Sequence, residues 1–346
     1  MKAALIGAGQ IARQHLSCLK TLPGVELAAV CDLSPATAEA AAERYGIRTW
    51  FTDHRAMLEK VRPDVVHITT PATSHFALAM DSFDAGSNVV VEKPATSTLE
   101  ELEKLVRRAQ ECGRHLIEDH NYVFNHAPQE ILRRVGTGEF GAVTHVEVLI
   151  CLDILGPSGF ADPNSPHPAL TLAGGAIADF LPHLASLAHV FVGPHRSAQT
   201  VWTKRKPSPL PFDEFRALVD AERGTATLGF SASSQPDAFW VRVYGEQMQA
   251  TANLFETRLT LDGPRNVPKP LRPFFSGLEE GKTIRRAALA TLLGKFKGPG
   301  AYQGLWELLA RTYQALANGS PPPVTESHVL EVNRMVEALK PRQQRP

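Results

Sequence analysis

The sequence predicts an α/β protein of two domains, the first of which is built on a doubly wound parallel sheet. At 346 residues the chain is too long for one ordinary core. Short apolar runs alternate with helical patterns through the first third, beginning at Ala3 to Ile6. Such alternation is typical of a parallel sheet covered by helices on both faces. We therefore expect domains at residues 1–121 and 122–346.

The composition is that of a soluble globular protein. Apolar residues make up 43% and charged residues 21% of the chain. Lys plus Arg equals Asp plus Glu at 36 each, which offers no argument for nucleic acid or an anionic membrane as a partner. Four widely spaced cysteines without metal-ligand spacing indicate reduced thiols in a cytoplasm and no metal site. No signal peptide or membrane span is expected.

The first domain is predicted to contain six strands separated by helices. Glycines follow three of the helical patterns, as expected where a helix ends. The predicted strands lie at 3–6, 25–31, 47–50, 64–69, 89–91 and 116–117. The predicted helices lie at 36–45, 53–60, 76–85 and 98–112, after a first helix that continues through Leu19.

A glycine turn joins the first strand to the first helix. Gly7 would make the tight turn, Gly9 would let a pyrophosphate approach the backbone, and Ala12 supplies the small residue needed for close packing. The helix start, which includes Gln10 and Ile11, would offer free amides to phosphates. The pattern predicts dinucleotide binding.

An acidic residue, Asp32, ends the second predicted strand, where a carboxylate can accept both adenosine ribose hydroxyls. The carboxylate would repel a 2′-phosphate, and residues 33–35 contain no arginine to bind one. NAD is therefore favoured over NADP. Helix capping is the alternative role for Asp32, although Ser34 before Pro35 is the better cap.

Two further strand ends carry candidate site residues. The loop with Thr70, Pro71 and His75 follows the fourth strand and should line the cofactor, while a histidine in a first helical turn is also compatible with a structural role. Glu92 and Lys93 follow the buried run 89–91. Parallel sheets bind ligands at this carboxyl edge, so we expect a site here, with solvated loop charges as the alternative.

Taken in order, these motifs resemble the glucose-fructose oxidoreductase, inositol dehydrogenase and MocA (Gfo/Idh/MocA) family. The resemblance implies a Rossmann domain followed by an α/β domain with a large, mostly antiparallel sheet that often mediates oligomerisation, here into a homodimer or homotetramer. It also implies that Lys93 lies near the nicotinamide and the substrate hydroxyl, and that Glu92 helps to hold the nicotinamide ribose.

In the second half, Asp179 and His183 are four residues apart, a spacing that places both on one face of a helix. The pair is similar to the Asp-x-Gly-x-His element of the family, whose acid and histidine stand beside the lysine and substrate. Leu181 and Ser186 depart from the family pattern, and the arginine that often follows near Tyr122 is absent. Capping of a helix over 180–191 is the alternative role for Asp179.

The remaining second half is predicted to be scaffold. Strands are expected at 143–150, 215–220, 226–230 and 240–244, and helices at 130–135, 284–293, 302–316 and 327–339. The proline-rich loop Gly156 to Pro168, which includes His167, is expected to shape substrate choice. The basic segment 269–297 is either a phosphate-binding surface or a solvated helix face.

The expected activity is reversible hydride transfer between nicotinamide and a hydroxyl carbon of a sugar, cyclitol or sugar derivative. Lys93 or His183 would move the hydroxyl proton, and Asp179 would orient the histidine. Two alternatives remain open: NAD-dependent glycoside cleavage by a member of the same family, and a non-catalytic NAD-binding regulatory protein. We expect a small carbohydrate-like substrate.

Overall fold

The computed structural model describes residues 1–156, 159, 170, 174–256, 258–264, 267–294 and 302–341. The chain divides into two compact units, Met1–Asn121 with Leu305–Asn333 and Tyr122–Gly304 with Arg334–Pro346. The segment 305–333 packs with the first unit, whereas the sequence pattern predicted a second domain over the whole of 122–346. Buried contacts such as the 2.6 Å hydrogen bond from Asn333 Nδ2 to Glu118 Oε2 explain this assignment.

The first unit contains a six-stranded parallel sheet. Its strand order is β3-β2-β1-β4-β5-β6, the doubly wound order in which ligands bind where the strand order reverses. This confirms the predicted Rossmann-type fold. The strands are β1 (Lys2–Ile6), β2 (Glu26–Cys31), β3 (Thr49–Phe51), β4 (Val65–Ile68), β5 (Asn88–Val91) and β6 (Leu116–Glu118).

Local sequence signals explain where the helices of this sheet begin and end. Ser34 Oγ accepts a hydrogen bond from the Thr37 amide and so caps one helix, as the sequence predicted. Thr98 and Glu101 form a capping box at another. The helices are α1 (Ala12–Leu19), α2 (Pro35–Tyr45), α3 (His54–Val61), α4 (Ala72–Asp84) and α5 (Leu99–Cys112).

The core beside the glycine turn is formed by apolar residues of β1, α1 and β2. Leu5 and Val30 are fully buried and Leu16 is 1% exposed. Burial of a side chain of this size contributes about 1.5 to 3 kcal/mol. The close packing of α1 on the sheet holds the preceding turn at the carboxyl edge of β1.

The second unit contains a seven-stranded sheet of order β13-β12-β11-β7-β10-β9-β8. Only the β7 and β10 pair is parallel, which confirms the mostly antiparallel sheet. The strands are β7 (Val143–Cys151), β8 (His195–Thr203), β9 (Glu214–Ala221), β10 (Thr225–Ser231), β11 (Ala238–Gly245), β12 (Gln249–Asn253) and β13 (Arg258–Asp262). Strands β8, β12 and β13 were not predicted; β8 lacks a clear apolar alternation, and β12 and β13 are only five residues long.

Most helices of the second half extend beyond their predicted bounds, while the one predicted at 302–316 lies one residue later. The predicted helix 284–293 is part of a longer one that begins twelve residues earlier, at Arg272. The helices are α6 (His126–Gly136), α7 (Gly175–Val192), α8 (Arg272–Gly294), α9 (Gln303–Ala317) and α10 (Glu326–Leu339). Most of the predicted loop Gly156 to Pro168, with His167, lies outside the described residues, as do positions 295–297 of the basic segment.

Helix α7 begins earlier than the sequence predicted. The alternative role of Asp179, as the cap of a helix over 180–191 with Pro182 in its first turn, is wrong. The helix starts at Gly175 with Gly174 as its N-cap, so Pro182 lies inside it. Pro182 removes one intrahelical hydrogen bond, yet the helix continues because its apolar residues are buried against β7 and β10.

Among the described residues, α7 is also the one helix long and apolar enough to cross a membrane, with a mean hydropathy of 1.4. Of this stretch, 72% is buried inside the protein. A core helix passes the same test of length and composition, and the contacts of α7 with its own sheet are those of a core helix.

Candidate functional site

The glycine turn after β1 is held by contacts that exclude a side chain at Gly7. This residue has a φ of +94°, and a Cβ built on it would lie 2.5 Å from Thr70 Cγ2 and 2.9 Å from the Thr70 amide nitrogen. The Gly7 amide donates to Cys31 O at 2.8 Å, and the Thr69 hydroxyl donates to Gly7 O at 2.6 Å. Glycine is required here for both conformation and space.

The other side of the turn is open. No atom lies within 4 Å of the position that a Cβ on Gly9 would take, and Gly9 and Gln10 are exposed. Among the described residues, no side chain caps α1 at Ile11. The first amides of the helix are therefore available to an anion, so these residues fit the pyrophosphate of a dinucleotide.

Asp32 follows β2 and is hydrogen-bonded to the glycine turn. Its Oδ2 accepts from the Ala8 amide at 2.8 Å, and its Oδ1 accepts from the Ser34 amide at 2.9 Å. A carboxylate has about four acceptor positions, so each oxygen retains capacity for a ribose hydroxyl. The residue fits the adenosine ribose, and α2 is capped by Ser34 instead.

His75 connects the loops that follow β4 and β5. Its ring is 1% exposed, with Nδ1 2.9 Å from Pro94 O and Nε2 2.8 Å from Thr70 O. Thr70 Oγ1 also accepts from the Ser74 hydroxyl at 2.7 Å, and Pro71 is exposed. The buried ring favours the structural role that the sequence left open, in which His75 positions Thr70 and the segment after Lys93.

Glu92 is buried at the end of β5, next to the half-buried Lys93. His15 Nε2 lies 3.1 Å from Glu92 Oε1. Burial alone would raise the pKa of Glu92, but hydrogen bonds from His15 and Asp119 and the charge of Lys93 outweigh it and hold that pKa below its usual value. Glu92 is therefore ionised, and its charge attracts Lys93.

Asp119 is a buried carboxyl group that the sequence analysis did not single out. It follows β6 and hydrogen-bonds to Glu92. Burial and the charge of Glu92 raise the pKa of Asp119 well above its usual value. Two such groups cannot both ionise, so Asp119 carries the proton and Glu92 the charge. The available sequence signal was the acidic pair Glu118 and Asp119, which follows the apolar residues of a short strand.

His15 also escaped the sequence analysis, although it follows Ala12 by three residues on the buried face of α1. The ligand atoms of His15, Glu92 and Asp119 lie within 4.8 Å of one another, close enough to hold a metal ion. The sequence predicted no metal site. Hydrogen bonds link Glu92 to both His15 and Asp119, and among the described residues Asp119 Oδ1 has no hydrogen-bond partner.

In the second unit, Asp179 and His183 occupy successive turns of α7. His183 is 5% exposed, and its ring packs against the ring of Tyr122 in a T-shaped arrangement with a centroid distance of 4.7 Å. Phe180 packs on the same ring at 5.8 Å. These contacts restrict the orientation of the imidazole, and Asp179 lies on the same helix face, as predicted.

A family model described as an oxidoreductase family with an NAD-binding Rossmann fold matches residues 1–120. The first domain therefore matches the model of this Gfo/Idh/MocA family. The match covers the glycine turn, Asp32 and the Glu92-Lys93 pair, and it confirms the predicted Rossmann fold and NAD as the cofactor.

Similar proteins of this kind include D-glucoside 3-dehydrogenase of Escherichia coli (strain K12), which is 35% identical over 144 residues, 41% of each chain. Glycosyl hydrolase family 109 protein 2 of Akkermansia muciniphila is 28% identical over 156 residues, 42% of this chain and 33% of that protein. The chain thus spans less than half the length of these relatives.

The solved structure of levoglucosan dehydrogenase with NADH and levoglucosan is 18% identical. It covers 98% of this chain and 95% of its own, with a TM-score of 0.81. At this identity the likeness shows a shared fold over both halves of the chain.

Proposed function

We propose that the protein is an NAD-dependent dehydrogenase that oxidises a hydroxyl group of a sugar, cyclitol or sugar derivative. The observation that carries this proposal is the buried Glu92 followed by Lys93 at the carboxyl end of β5. The glycine turn and Asp32 follow β1 and β2 at the same edge of that sheet. NAD, when bound, supplies the hydride acceptor.

The cofactor is held in this proposal by the backbone of the glycine turn and by Asp32. The α1 amides beyond Gly9 bind the pyrophosphate, and Asp32 accepts the ribose hydroxyls with the acceptor positions left by Ala8 and Ser34. Asp32 repels a 2′-phosphate, and residues 33–35 contain no arginine. NAD is therefore preferred to NADP.

Proton transfer from the substrate hydroxyl falls to Lys93 or His183. Glu92 contacts the nicotinamide ribose and provides a counter-charge for Lys93, while Asp179 orients His183 from the same helix face. Positioned proton transfer contributes a factor of about 10² to 10⁴ to a rate. The names of the D-glucoside and levoglucosan dehydrogenases support a carbohydrate-like substrate.

The family 109 glycosyl hydrolase among the relatives favours a second candidate function. In NAD-dependent glycoside cleavage the cofactor would be reduced and reoxidised within one turnover. Net reduction of NAD separates the two candidates, since a dehydrogenase accumulates NADH and a glycosidase releases a free sugar without it.

The test is to incubate the protein with NAD and a panel of glucosides, free sugars, anhydrosugars, inositols, sugar acids and nucleotide sugars, and to follow NADH and glycoside cleavage separately. NADH accumulation with at least one class supports the proposal. Cleavage without NADH supports the second candidate. NAD binding without turnover of any compound would contradict both and favour a regulatory protein.

The proposal includes a cytoplasmic homo-oligomer, either a homodimer or a homotetramer. Exposed apolar residues on the seven-stranded sheet support association, since Val201 of β8 is 60% exposed and Leu218 of β9 is 54% exposed. Light scattering on the purified full-length chain measures the mass. A monomeric mass of 37.7 kDa would contradict association.

A further inference from the structure

A line of four buried polar side chains crosses the first unit from α9 to β5. The Tyr313 hydroxyl lies 2.9 Å from His67 Nε2, and His67 Nδ1 lies 2.9 Å from His15 Nδ1. His15 Nε2 lies 3.1 Å from Glu92 Oε1. The exposed fractions are 4% for Tyr313, 0% for both histidines and 9% for Glu92. Polar groups buried to this degree require mutual hydrogen bonds.

The chemistry of neutral imidazole fixes which group donates each hydrogen bond along this line, so that every bond is donated in the direction from Tyr313 toward Glu92. A neutral ring has one N–H donor and one acceptor nitrogen. The ionised Glu92 accepts, so His15 carries its hydrogen on Nε2 and accepts at Nδ1. His67 therefore donates from Nδ1 and accepts at Nε2 from the Tyr313 hydroxyl.

The environments of His67 and Tyr313 agree with this assignment of the hydrogens. Burial lowers the pKa of His67 well below its usual value and keeps that ring neutral. Burial also raises the pKa of Tyr313 well above its usual value, so the phenol keeps its hydrogen.

With the charge on Glu92 and the proton on Asp119, the reverse direction would require a charged His15 that donates from both nitrogens. His67 would then donate to the Tyr313 oxygen, and the Tyr313 hydroxyl hydrogen would need another acceptor. Within the described part of the chain, no other hydrogen bond of Tyr313 is present. A buried hydroxyl without a partner costs about 1 to 3 kcal/mol, which favours the direction toward Glu92.

Glu92 thus receives hydrogen bonds from His15 and from the protonated Asp119. The other charged groups near it are Lys93 and Glu118, and Glu118 accepts hydrogen bonds from the Ala95 amide and Asn333. The line therefore ends on one buried anion directly beside Lys93.

We propose that Tyr313 and His67 are positioning residues that hold the hydrogen of His15 on Nε2 and thereby keep Glu92 charged and oriented beside Lys93. The consequence for catalysis rests on the proposed function. An anion at the proposed nicotinamide site attracts the positively charged oxidised ring more than the neutral reduced one. The line should therefore favour bound NAD⁺ over bound NADH.

The first test reads the hydrogen positions by NMR on the full-length protein labelled with ¹⁵N-histidine, with His15→Asn and His67→Asn to assign the signals. We expect the hydrogen on Nε2 of His15 and on Nδ1 of His67. A hydrogen on Nε2 of His67, or on both nitrogens of His15, overturns the proposal. Broadening of the His15 signals by added Mn²⁺ also overturns it, because a bound cation would replace that hydrogen.

The second test compares Tyr313→Phe with the control Tyr45→Phe. The Tyr45 hydroxyl lies in the same unit and donates a hydrogen bond to Arg13 O, but it is not part of the line. In Tyr313→Phe we expect the imidazole hydrogen of His67 to be shared between Nδ1 and Nε2, because Tyr313 no longer donates to Nε2. We also expect the dissociation constant of NAD⁺ divided by that of NADH to rise about tenfold, the effect of one hydrogen bond. Tyr45→Phe should leave the hydrogen position of His67 and the ratio of the two dissociation constants unchanged. Wild-type hydrogen positions in Tyr313→Phe would contradict the proposal.

The two proposals can fail separately. If the histidine hydrogens are placed as assigned but no compound is oxidised, the proposed function fails and the line remains. If a substrate is oxidised but the hydrogens are placed otherwise, the line fails alone. The wild-type spectrum decides the assignment even if Tyr313→Phe does not fold.

Discussion

The Asp32 carboxylate accepts a hydrogen bond from the Ala8 amide at 2.8 Å, which ties the end of β2 to the glycine turn. We predict that Asp32→Ala weakens NAD binding roughly ten- to a hundredfold, because hydrogen bonds to a charged group are lost. The difference in affinity between NAD and NADP should become smaller, because the carboxylate that repels the 2′-phosphate of NADP is removed. Titration of both cofactors measures the change.

Asp53→Ala is the matched control for this substitution, because Asp53 also follows a strand of the sheet and accepts from a backbone amide, that of Arg55. It should lower stability without changing the preference between cofactors. Unchanged affinities of Asp32→Ala for NAD and NADP would contradict the assigned ribose contact.

The two glycines of the turn should respond differently to alanine. Gly7→Ala places a side chain at a φ of +94° and 2.9 Å from the Thr70 amide nitrogen, so we expect a loss of about 1 to 3 kcal/mol in the free energy of unfolding. Gly9→Ala meets no atom within 4 Å and should keep that free energy, while its methyl group obstructs the pyrophosphate and weakens NAD binding. Denaturant unfolding measures the free energy of unfolding, and titration measures the NAD affinity. Equal NAD affinity of Gly9→Ala and the wild type would argue against pyrophosphate binding at the glycine turn.

The Asp119 carboxyl group should make stability depend on pH. Its raised pKa means that the folded protein binds a proton that the unfolded chain releases above about pH 4. The contribution of this group to the free energy of unfolding is therefore fully present below that pH. It is lost as the pH rises toward the pKa of Asp119 in the folded protein, by up to about 1.4 kcal/mol per pH unit. Asp119→Asn removes this term.

Urea unfolding across pH 5 to 8 should therefore show Asp119→Asn gaining stability relative to the wild type as the pH rises. The exposed Asp84→Asn, which loses an ion pair with Arg108, should show no such trend. A difference between Asp119→Asn and the wild type that does not change with pH would mean that Asp119 is ionised in the folded protein.

His183 is predicted to act in turnover. With a substrate from the panel, His183→Asn should lower kcat by a factor of about 10² to 10⁴ and leave NAD binding unchanged. His189→Asn, on the same helix, should leave kcat close to the wild-type value. If both variants lower kcat equally, the effect comes from α7 packing and not from proton transfer.

The sequence predicted most of the first unit because its signals are local. The apolar runs, the glycine turn and the Ser34 cap each depend on residues within one strand, turn or helix, and the structure contains all of them. The carboxyl-edge position of Glu92 and Lys93 follows from the parallel sheet alone.

The missed features depend on contacts between distant parts of the chain. His15, His67 and Tyr313 meet across separations of 52 and 246 residues, which no local pattern reveals. The transfer of 305–333 to the first unit has the same origin. The start of α7 was misplaced because Pro182 indicates a helix start locally, whereas burial extends the helix past it.

The most direct measurement is of NAD reduction and NAD binding by Lys93→Met, with Lys104→Met as a control in the same unit, where Lys104 pairs with the exposed Glu100. For a compound that the wild type oxidises, we predict that Lys93→Met binds NAD with nearly unchanged affinity and loses turnover by about 10² to 10⁴. Lys104→Met should match the wild type. Normal turnover by Lys93→Met would contradict the assignment of Lys93 to the active site.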